Sequence, residues 1–338
     1  MTGRVWKGTA FGGWKSRQDV PKLVNKVLLG ELPLNKYITH EFEGLDKVND
    51  LVHTMHEGSC LRGVVNINAF ENVVPKDDIK VVSSVKSFGG YVKTVEHWST
   101  VNNCKMTFTI YLPADQVNEQ RRKPYPAIYF CSGLTSSWEN ATVKMQYGRQ
   151  CAKRQVAMVF PDTSPRGVDE TCPEAGDDDW TTGYSAGHYC NATQAPWNKH
   201  FNMYSYVTEE LPNLVERYFH VDSERRSIMG FSMGGNGALI AAAKNPERYQ
   251  SVTAIAPIGK PTSSETFCTK ALTKYFGSPE AGADYSISDI LNAKGKSLTL
   301  PPGYIDVGSC DQFMNDLSIP ELIKALRTNG HNDFPVTY

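Results

Sequence analysis

A chain of 338 residues with 40% hydrophobic and 21% charged residues has the make-up of an ordinary globular protein, long enough for one large core with a smaller appendage. A formal net charge of −1 gives no electrostatic argument for nucleic acid or an anionic membrane as partner, so ligand recognition has to be local. No run of about 18 apolar residues is present, and the opening Met1-Thr2-Gly3-Arg4-Val5-Trp6-Lys7 lacks the apolar core of a signal peptide, which makes the cytoplasm the default compartment.

Residues 1–70 hold two helix-like stretches (20–29 and 45–56), a β-like run (61–67) and a glycine-rich opening at 8–15. A segment this short buries little core unaided, so it reads as a docking fragment or the tail of something longer. Residues 71–80, with Pro75, Lys76, Asp77 and Asp78, read as a linker. From residue 81 to 338 the pattern is that of an α/β domain. Three β-rich stretches lead (80–88, 91–99 and 105–112), and Met106, Phe108, Ile110 and Leu112 alternate along the third, as half-buried antiparallel strands do. Short apolar runs at 127–131, 156–160, 226–231, 251–257 and 304–307 then alternate with helical stretches at 141–153, 203–219, 234–244 and 319–327. That alternation predicts a mostly parallel central sheet flanked by helices. A last β-like run, 334–338, closes the chain.

Residues 163–199 have little periodicity and much Gly, Pro, Asp, Trp and Tyr. A loop of that length in a compact domain reads as a lid or substrate pocket, with Asp177-Asp178-Asp179 as a solvated acidic run. The eight cysteines lack C-x-x-C spacing, which fits free thiols in a reducing compartment. No metal site and no cofactor are expected.

The most informative stretch is Gly230-Phe231-Ser232-Met233-Gly234, between the strand-like run 226–229 and the helix-like run 234–244. Glycines on both sides of a serine at a strand-to-helix junction allow a turn too tight for side chains, which leaves the hydroxyl clear of the sheet. Ser232 is therefore the candidate nucleophile. The N–H of Met233, at the start of the helix, is the first candidate oxyanion donor. A second donor belongs in the loop after an earlier strand, where Ser132-Gly133-Leu134-Thr135 stands, and the Leu134 N–H is the candidate.

The acid that orients a catalytic base belongs just past a later strand. Asp311 takes that place, ahead of Asp306, read as a buried strand carboxylate, and Asp316, read as opening the next helix. The only histidine after Asp311 is His331. It precedes the last β-like run, and a strand of about five residues spans roughly 17 Å. His331 therefore reads as a surface turn residue at the wrong edge of the sheet. His188, in the long loop, is a candidate pocket residue, while His97 and His220 read as strand and helix-end residues.

With these residues in hand, the domain from about residue 80 onward resembles S-formylglutathione hydrolases, the esterase D family of the α/β-hydrolase fold. The resemblance rests on Ser132-Gly133-Leu134-Thr135, on Pro161-Asp162-Thr163-Ser164-Pro165-Arg166-Gly167, on the string from Met203 to Pro212, on Ser232-Met233-Gly234-Gly235 and on Asp311-Gln312-Phe313. It implies a small-molecule substrate, S-formylglutathione, hydrolysed to glutathione and formate, with Ser232 as nucleophile, Asp311 as acid and Leu134 and Met233 as oxyanion donors. A homo-oligomer is compatible with it. Ser136 stands where the family usually has cysteine. The family's histidine lies in a Tyr-Asp-His-Ser string beyond the final strand, so no catalytic histidine is expected in this chain and the fold is expected to be truncated at its C-terminal end. The same elbow would also serve a broad short-acyl carboxylesterase, and without its base a binding or scaffold role.

The first 70 residues resemble the C-terminal end of class III alcohol dehydrogenase, the enzyme that makes S-formylglutathione. Residues Gly3 to Ser16, Asp19 to Val24 and Leu61 to Ile67 carry that resemblance. It implies a dehydrogenase–hydrolase fusion. In that family an arginine at the position of Arg62 contacts nucleotide phosphates, but the zinc ligands and the Gly-x-Gly-x-x-Gly turn are not in this sequence, so no nucleotide binding is expected.

Overall fold

Parallel strands need a crossover between them, and the segment Val48–His56 supplies one. In the computed structural model, which describes residues 20, 24, 26–27, 32–43, 47–66, 79–114, 123–177 and 179–338, the chain divides into two units, Met1–Lys76 and Asp77–Tyr338. In the first unit β1 (His40–Glu43) and β2 (Gly63–Asn66) pair in parallel, with Phe42 opposite Val65 and α1 (Val48–His56) between them in sequence. The helix expected at 45–56 thus begins at Val48, and the β-like run at 61–67 is β2. β1 was not expected, because His-Glu-Phe-Glu carries a single apolar residue. The glycine-rich opening, most of the helix expected at 20–29 and most of the linker lie outside the described residues.

In the second unit nine strands form one sheet: β3 (Lys80–Ser87), β4 (Gly90–Ser99), β5 (Cys104–Leu112), β6 (Tyr125–Cys131), β7 (Ala157–Pro161), β8 (Val221–Phe231), β9 (Val252–Ile255), β10 (Gly303–Asp306) and β11 (Val336–Thr337). Their spatial order is β11-β10-β9-β8-β6-β7-β5-β4-β3. The three leading strands are antiparallel, β5 joins β7 antiparallel, and the rest are parallel. Alternation along β5 buries Met106, Phe108 and Ile110. β7 is buried at every position, as a central strand covered on both faces should be. Phe231 is level with Ile255, Ile255 with Asp306, and Asp306 with Thr337, so four parallel strands end together at one edge.

Helices α2 (Asn140–Lys144), α3 (Gly148–Arg154), α4 (Leu211–Tyr218), α5 (Met233–Lys244), α6 (Thr269–Phe276), α7 (Ile287–Lys294) and α8 (Ile319–Thr328) pack around this sheet. α5 is buried from Met233 through Ala243, as its Gly, Ala, Leu and Ile composition requires, because a helix with no polar stripe has no face for water. The helix expected at 141–153 is interrupted, with Met145 extended (φ −78°, ψ 131°). The stretch expected at 203–219 contains a π-helical turn, Tyr206–Glu210, before α4. Pro212 follows directly; lacking an N–H, it cannot make the regular bond there, which is a known cause of such a widened turn. α6 and α7 were not expected, since no long apolar run marks them.

Residues 163–199 are an irregular layer that is braced at several points and does not hang free as a lid. The Tyr275 hydroxyl accepts the Gly183 N–H (2.8 Å) and donates to the Ala186 carbonyl (2.9 Å), while the Gly187 N–H donates to the Thr163 carbonyl (3.1 Å). Asp179 pairs with Lys270, and Glu174 with Lys274 (2.9 Å). The acidic run is thus a staple to α6, and Asp178 lies outside the described residues.

Candidate active site

The elbow forms because three backbones close on each other without side chains between them. A Cβ on Gly230 would lie 2.0 Å from the Gly234 carbonyl oxygen, and one on Gly234 would lie 2.0 Å from that of Cys131. Strand β8, helix α5 and strand β6 can meet here only through glycine. Ser232 sits at φ 56°, ψ −117°, a strained conformation for a residue with a side chain, of the kind kept where geometry matters for function. Four backbone bonds hold it: its N–H donates to the Ile255 carbonyl (2.9 Å), and its carbonyl accepts the N–H groups of Gly235 (2.9 Å), Asn236 (3.2 Å) and Ile258 (3.1 Å). The side chain is half-exposed at the carboxyl edge of the sheet.

Met233 opens α5, and its N–H belongs to the first turn, where no intrahelical acceptor exists. The loop Ser132-Gly133-Leu134 lies against the elbow: a Cβ on Gly133 would stand 3.2 Å from both the Ser232 Cβ and the Phe231 ring. The structure therefore brings together the loop of Leu134, the N–H of Met233 and Ser232. An apolar cavity of about 280 Å³ adjoins them, walled by Phe130, Met145, Phe231 and Ile255, with Ser132 and Gly133 at its side.

Asp311 lies in the turn after β10, on the same edge as Ser232. Its N–H donates to the Gly308 carbonyl (2.9 Å), and its carboxylate accepts the Phe313 N–H (2.8 Å). Asp306, expected to be buried, is exposed and accepts the Thr337 hydroxyl (2.6 Å). It ends a strand of which that face is open. Asp316 does not open a helix: α8 starts at Ile319, and the Asp316 carboxylate accepts the Thr266 hydroxyl (2.6 Å).

The second unit contains five histidines. His97 is buried, with Nε2 on the Tyr206 hydroxyl (3.0 Å); His200 is buried between the Thr171 hydroxyl (2.7 Å) and the Asn102 carbonyl (2.9 Å). His188 donates from Nε2 to the Thr181 carbonyl (3.0 Å) and lies beside Met233 and Asn236. Its burial pushes the imidazole pKa down to about 4, so it is neutral in the fold. His220 is exposed, just before β8. His331 precedes β11, which runs parallel to β10, so it stands at the amino edge, as its position predicted. It is not a plain surface residue, however: its Nε2 is buried without a partner, and desolvation lowers its pKa.

One element of the site that the linear pattern does not mark is the ion pair Asp162–Arg166, which holds the loop of Leu134. Arg166 donates to the Asp162 carboxylate through Nε (2.8 Å) and Nη2 (2.9 Å). The only signal was the Pro-Asp-Thr-Ser-Pro-Arg-Gly string, in which an acid and an arginine four residues apart imply a pair but not what it braces.

This geometry is matched by known proteins. The family model named Esterase matches residues 99–332. The S-formylglutathione hydrolase of Mus musculus is 41% identical over 241 residues, covering 70% of this chain and 81% of that one; the one from Paracoccus denitrificans is 42% identical over 247 residues, covering 72% and 83%. The solved structure of an S-formylglutathione hydrolase from Agrobacterium tumefaciens superposes with a TM-score of 0.67 at 35% identity, over 77% of this chain and 90% of that one. With an α/β-hydrolase sheet, a serine elbow at its carboxyl edge and identity of this extent over most of the relatives' length, the chain belongs to the S-formylglutathione hydrolase family of esterases.

Proposed function

We propose that this protein is a serine thioesterase that hydrolyses S-formylglutathione to glutathione and formate, the second step of glutathione-dependent formaldehyde removal. The observation that carries the reading is Ser232, held at φ 56° between β8 and α5 in a domain 41% identical to S-formylglutathione hydrolases. Ser232 Oγ attacks the formyl carbonyl carbon, and the N–H groups of Met233 and Leu134 stabilise the oxyanion. The tetrahedral intermediate collapses, the C–S bond breaks, and glutathione leaves as its thiolate and takes up a proton. Water then attacks the formyl-serine ester and releases formate. Asp311 is the acid whose role is to orient a base.

No histidine of the second unit is hydrogen-bonded to Ser232 or Asp311 among the described residues. We therefore propose that the 338-residue chain acylates slowly, with oxyanion stabilisation and binding supplying the residual rate. A fluorophosphonate probe tests this directly. Slow labelling, abolished by Ser232→Ala, is the expected result, and rapid labelling of Ser232 would overturn it. Hydrolysis of S-formylglutathione in preference to p-nitrophenyl acetate supports the thioesterase reading; the reverse preference supports a general carboxylesterase.

For the first unit, we propose a dehydrogenase-derived segment. The parallel β1-α1-β2 arrangement supports it, together with the motifs around Arg62. A test is whether the first unit, added to or deleted from the chain, alters NAD binding; none is expected in either case.

A further inference from the structure

The loop that carries Leu134 is held from outside itself. Thr135, the next residue, is β-branched and sits at φ 61°, in the left-handed region that such side chains avoid. Its side chain is exposed, so packing of that side chain does not impose the conformation. The main chain is anchored at Thr135 itself and at the residue after it. The Thr135 N–H donates to the Ser185 carbonyl (3.2 Å). The carbonyl of Ser136 accepts two donors, the Thr163 hydroxyl and Arg166 Nη2 (3.3 Å). With one Nη2 hydrogen on Asp162, the other is shared between the Ser136 carbonyl and Ser185 Oγ (3.0 Å), and the Ser185 N–H donates to Ser164 Oγ (2.8 Å). Behind Arg166 stands Asp162, whose side chain is 3% exposed against 38% for the arginine. A carboxylate this buried next to a guanidinium fixes the plane of the fork and the direction of its remaining N–H groups. Upstream, the Ser132 carbonyl accepts the Tyr189 hydroxyl (2.9 Å). Residues 132–136 are thus tied on both sides of Leu134, and on the far side Arg166 reaches both the Ser136 carbonyl and Ser185, alongside the Thr163 hydroxyl.

We propose that Arg166, oriented by Asp162 and assisted by Thr163, is a positioning residue that holds Thr135 in its left-handed conformation and so aims the Leu134 N–H at the oxyanion. The inference rests on the reading of Ser232 as nucleophile and of Leu134 as donor. Without the arginine, the Ser136 carbonyl keeps only the Thr163 hydroxyl and Ser185 loses its side-chain anchor, so Thr135 relaxes more readily to an extended conformation, which turns the adjoining peptide away from the elbow.

The test uses phenylboronic acid at alkaline pH, where the serine oxygen bonds boron, the hydroxyl proton passes to solvent, and the anionic tetrahedral adduct places an oxygen at the oxyanion donors. Arg166→Gln is expected to weaken boronate binding at least tenfold, on the scale of losing or misaligning one such donor. Thr135→Asn, a residue that tolerates positive φ, is expected to return most of that loss in the double variant, which loss of general stability would not allow. Amide exchange of Thr135, read by mass spectrometry on the full chain, is expected to quicken at least tenfold in Arg166→Gln and to recover in the double variant. Unchanged boronate binding in a wild type that binds it, unchanged exchange, or a double variant as impaired as the single one would each overturn the proposal. If Arg166→Gln does not fold, Thr163→Val removes the second donor to the same carbonyl, with the same direction expected and a null effect counting against it. Should fluorophosphonate labelling persist in Ser232→Ala, the nucleophile reading fails, and the exchange measurement still decides the clamp.

Discussion

Gly133 and Ser232 are packed so closely that a methyl group on the first would sit 3.2 Å from the Cβ of the second. The loop after β6 and the elbow after β8 are therefore one construction, and the space between them is set by a missing side chain. Gly133→Ala should leave stability within about 1 kcal/mol, since the intruding methyl needs only a few tenths of an ångström of relief. It should lower fluorophosphonate labelling of Ser232 by roughly tenfold, because a loop pushed from its seat misaligns an oxyanion donor. Labelling equal to wild type would show that the two loops move independently.

Gly234→Ala should behave differently. Its Cβ would fall 2.0 Å from the Cys131 carbonyl oxygen, a clash with backbone that no rotamer change relieves. A loss of about 3 kcal/mol or more is expected in urea denaturation, at the upper end of overpacking costs.

His188 ties stability to mildly acidic pH. Burial lowers its pKa from 6.5 to about 4, so the unfolded chain binds a proton that the folded chain refuses. The stabilisation is whole above pH 6.5 and drains away as pH falls toward 4, at no more than about 1.4 kcal/mol per pH unit. In His188→Gln the midpoint of unfolding should depend less on pH across that window than in wild type, whatever its absolute value. Equal slopes would show that the ring is hydrated and protonates in place.

Asp179 acts in a lower range. Hydrogen bonds from Lys270 and then Thr181 hold its carboxyl down at about 2. Its contribution is present above the ordinary carboxylate range near 4 and is lost as pH falls from there toward 2. Lys270 is 62% exposed, so the pair is worth at most about 1 kcal/mol and weakens in salt. Asp179→Asn should speed amide exchange at Thr181 and Thr182 at pH 7, and the difference from wild type should vanish near pH 2.

Thiol reactivity should divide by burial. Cys310 is exposed, whereas Cys104, Cys131, Cys151, Cys172, Cys190 and Cys268 are buried and Ser136 stands beside the elbow cavity. Desolvation raises Cys131 to about 12 and Cys104 and Cys151 to about 11, which removes the reactive thiolate at neutral pH. Within the second unit, iodoacetamide should modify Cys310 in the native protein and the six buried thiols only after denaturant is added.

The order of strands and helices from residue 80 onward was legible because period-2 and short apolar runs are local consequences of burial. Ser232 was legible because its strain demands glycines at fixed offsets. Asp311, after a strand and a turn, could be placed on the right edge by counting, and so could His331 on the wrong one. What a linear pattern could not carry is what faces what. Asp306 falls within a strand that reads as buried, yet faces an open side of the sheet. The Asp-rich run looks like solvent-exposed loop, yet it reaches Lys270 and Lys274 about 90 positions away. Arg166 looks like one more surface cation, yet its fork closes on a carbonyl thirty residues upstream. The fold class and the serine elbow could be read from the chain alone, because both arise from backbone constraints among neighbouring residues. How the loop of Leu134 is held, and which partners each histidine of the second unit takes, emerges from the folded chain, because hydrogen-bond partners far apart in the chain are chosen by the packing of the sheet and leave no periodic trace.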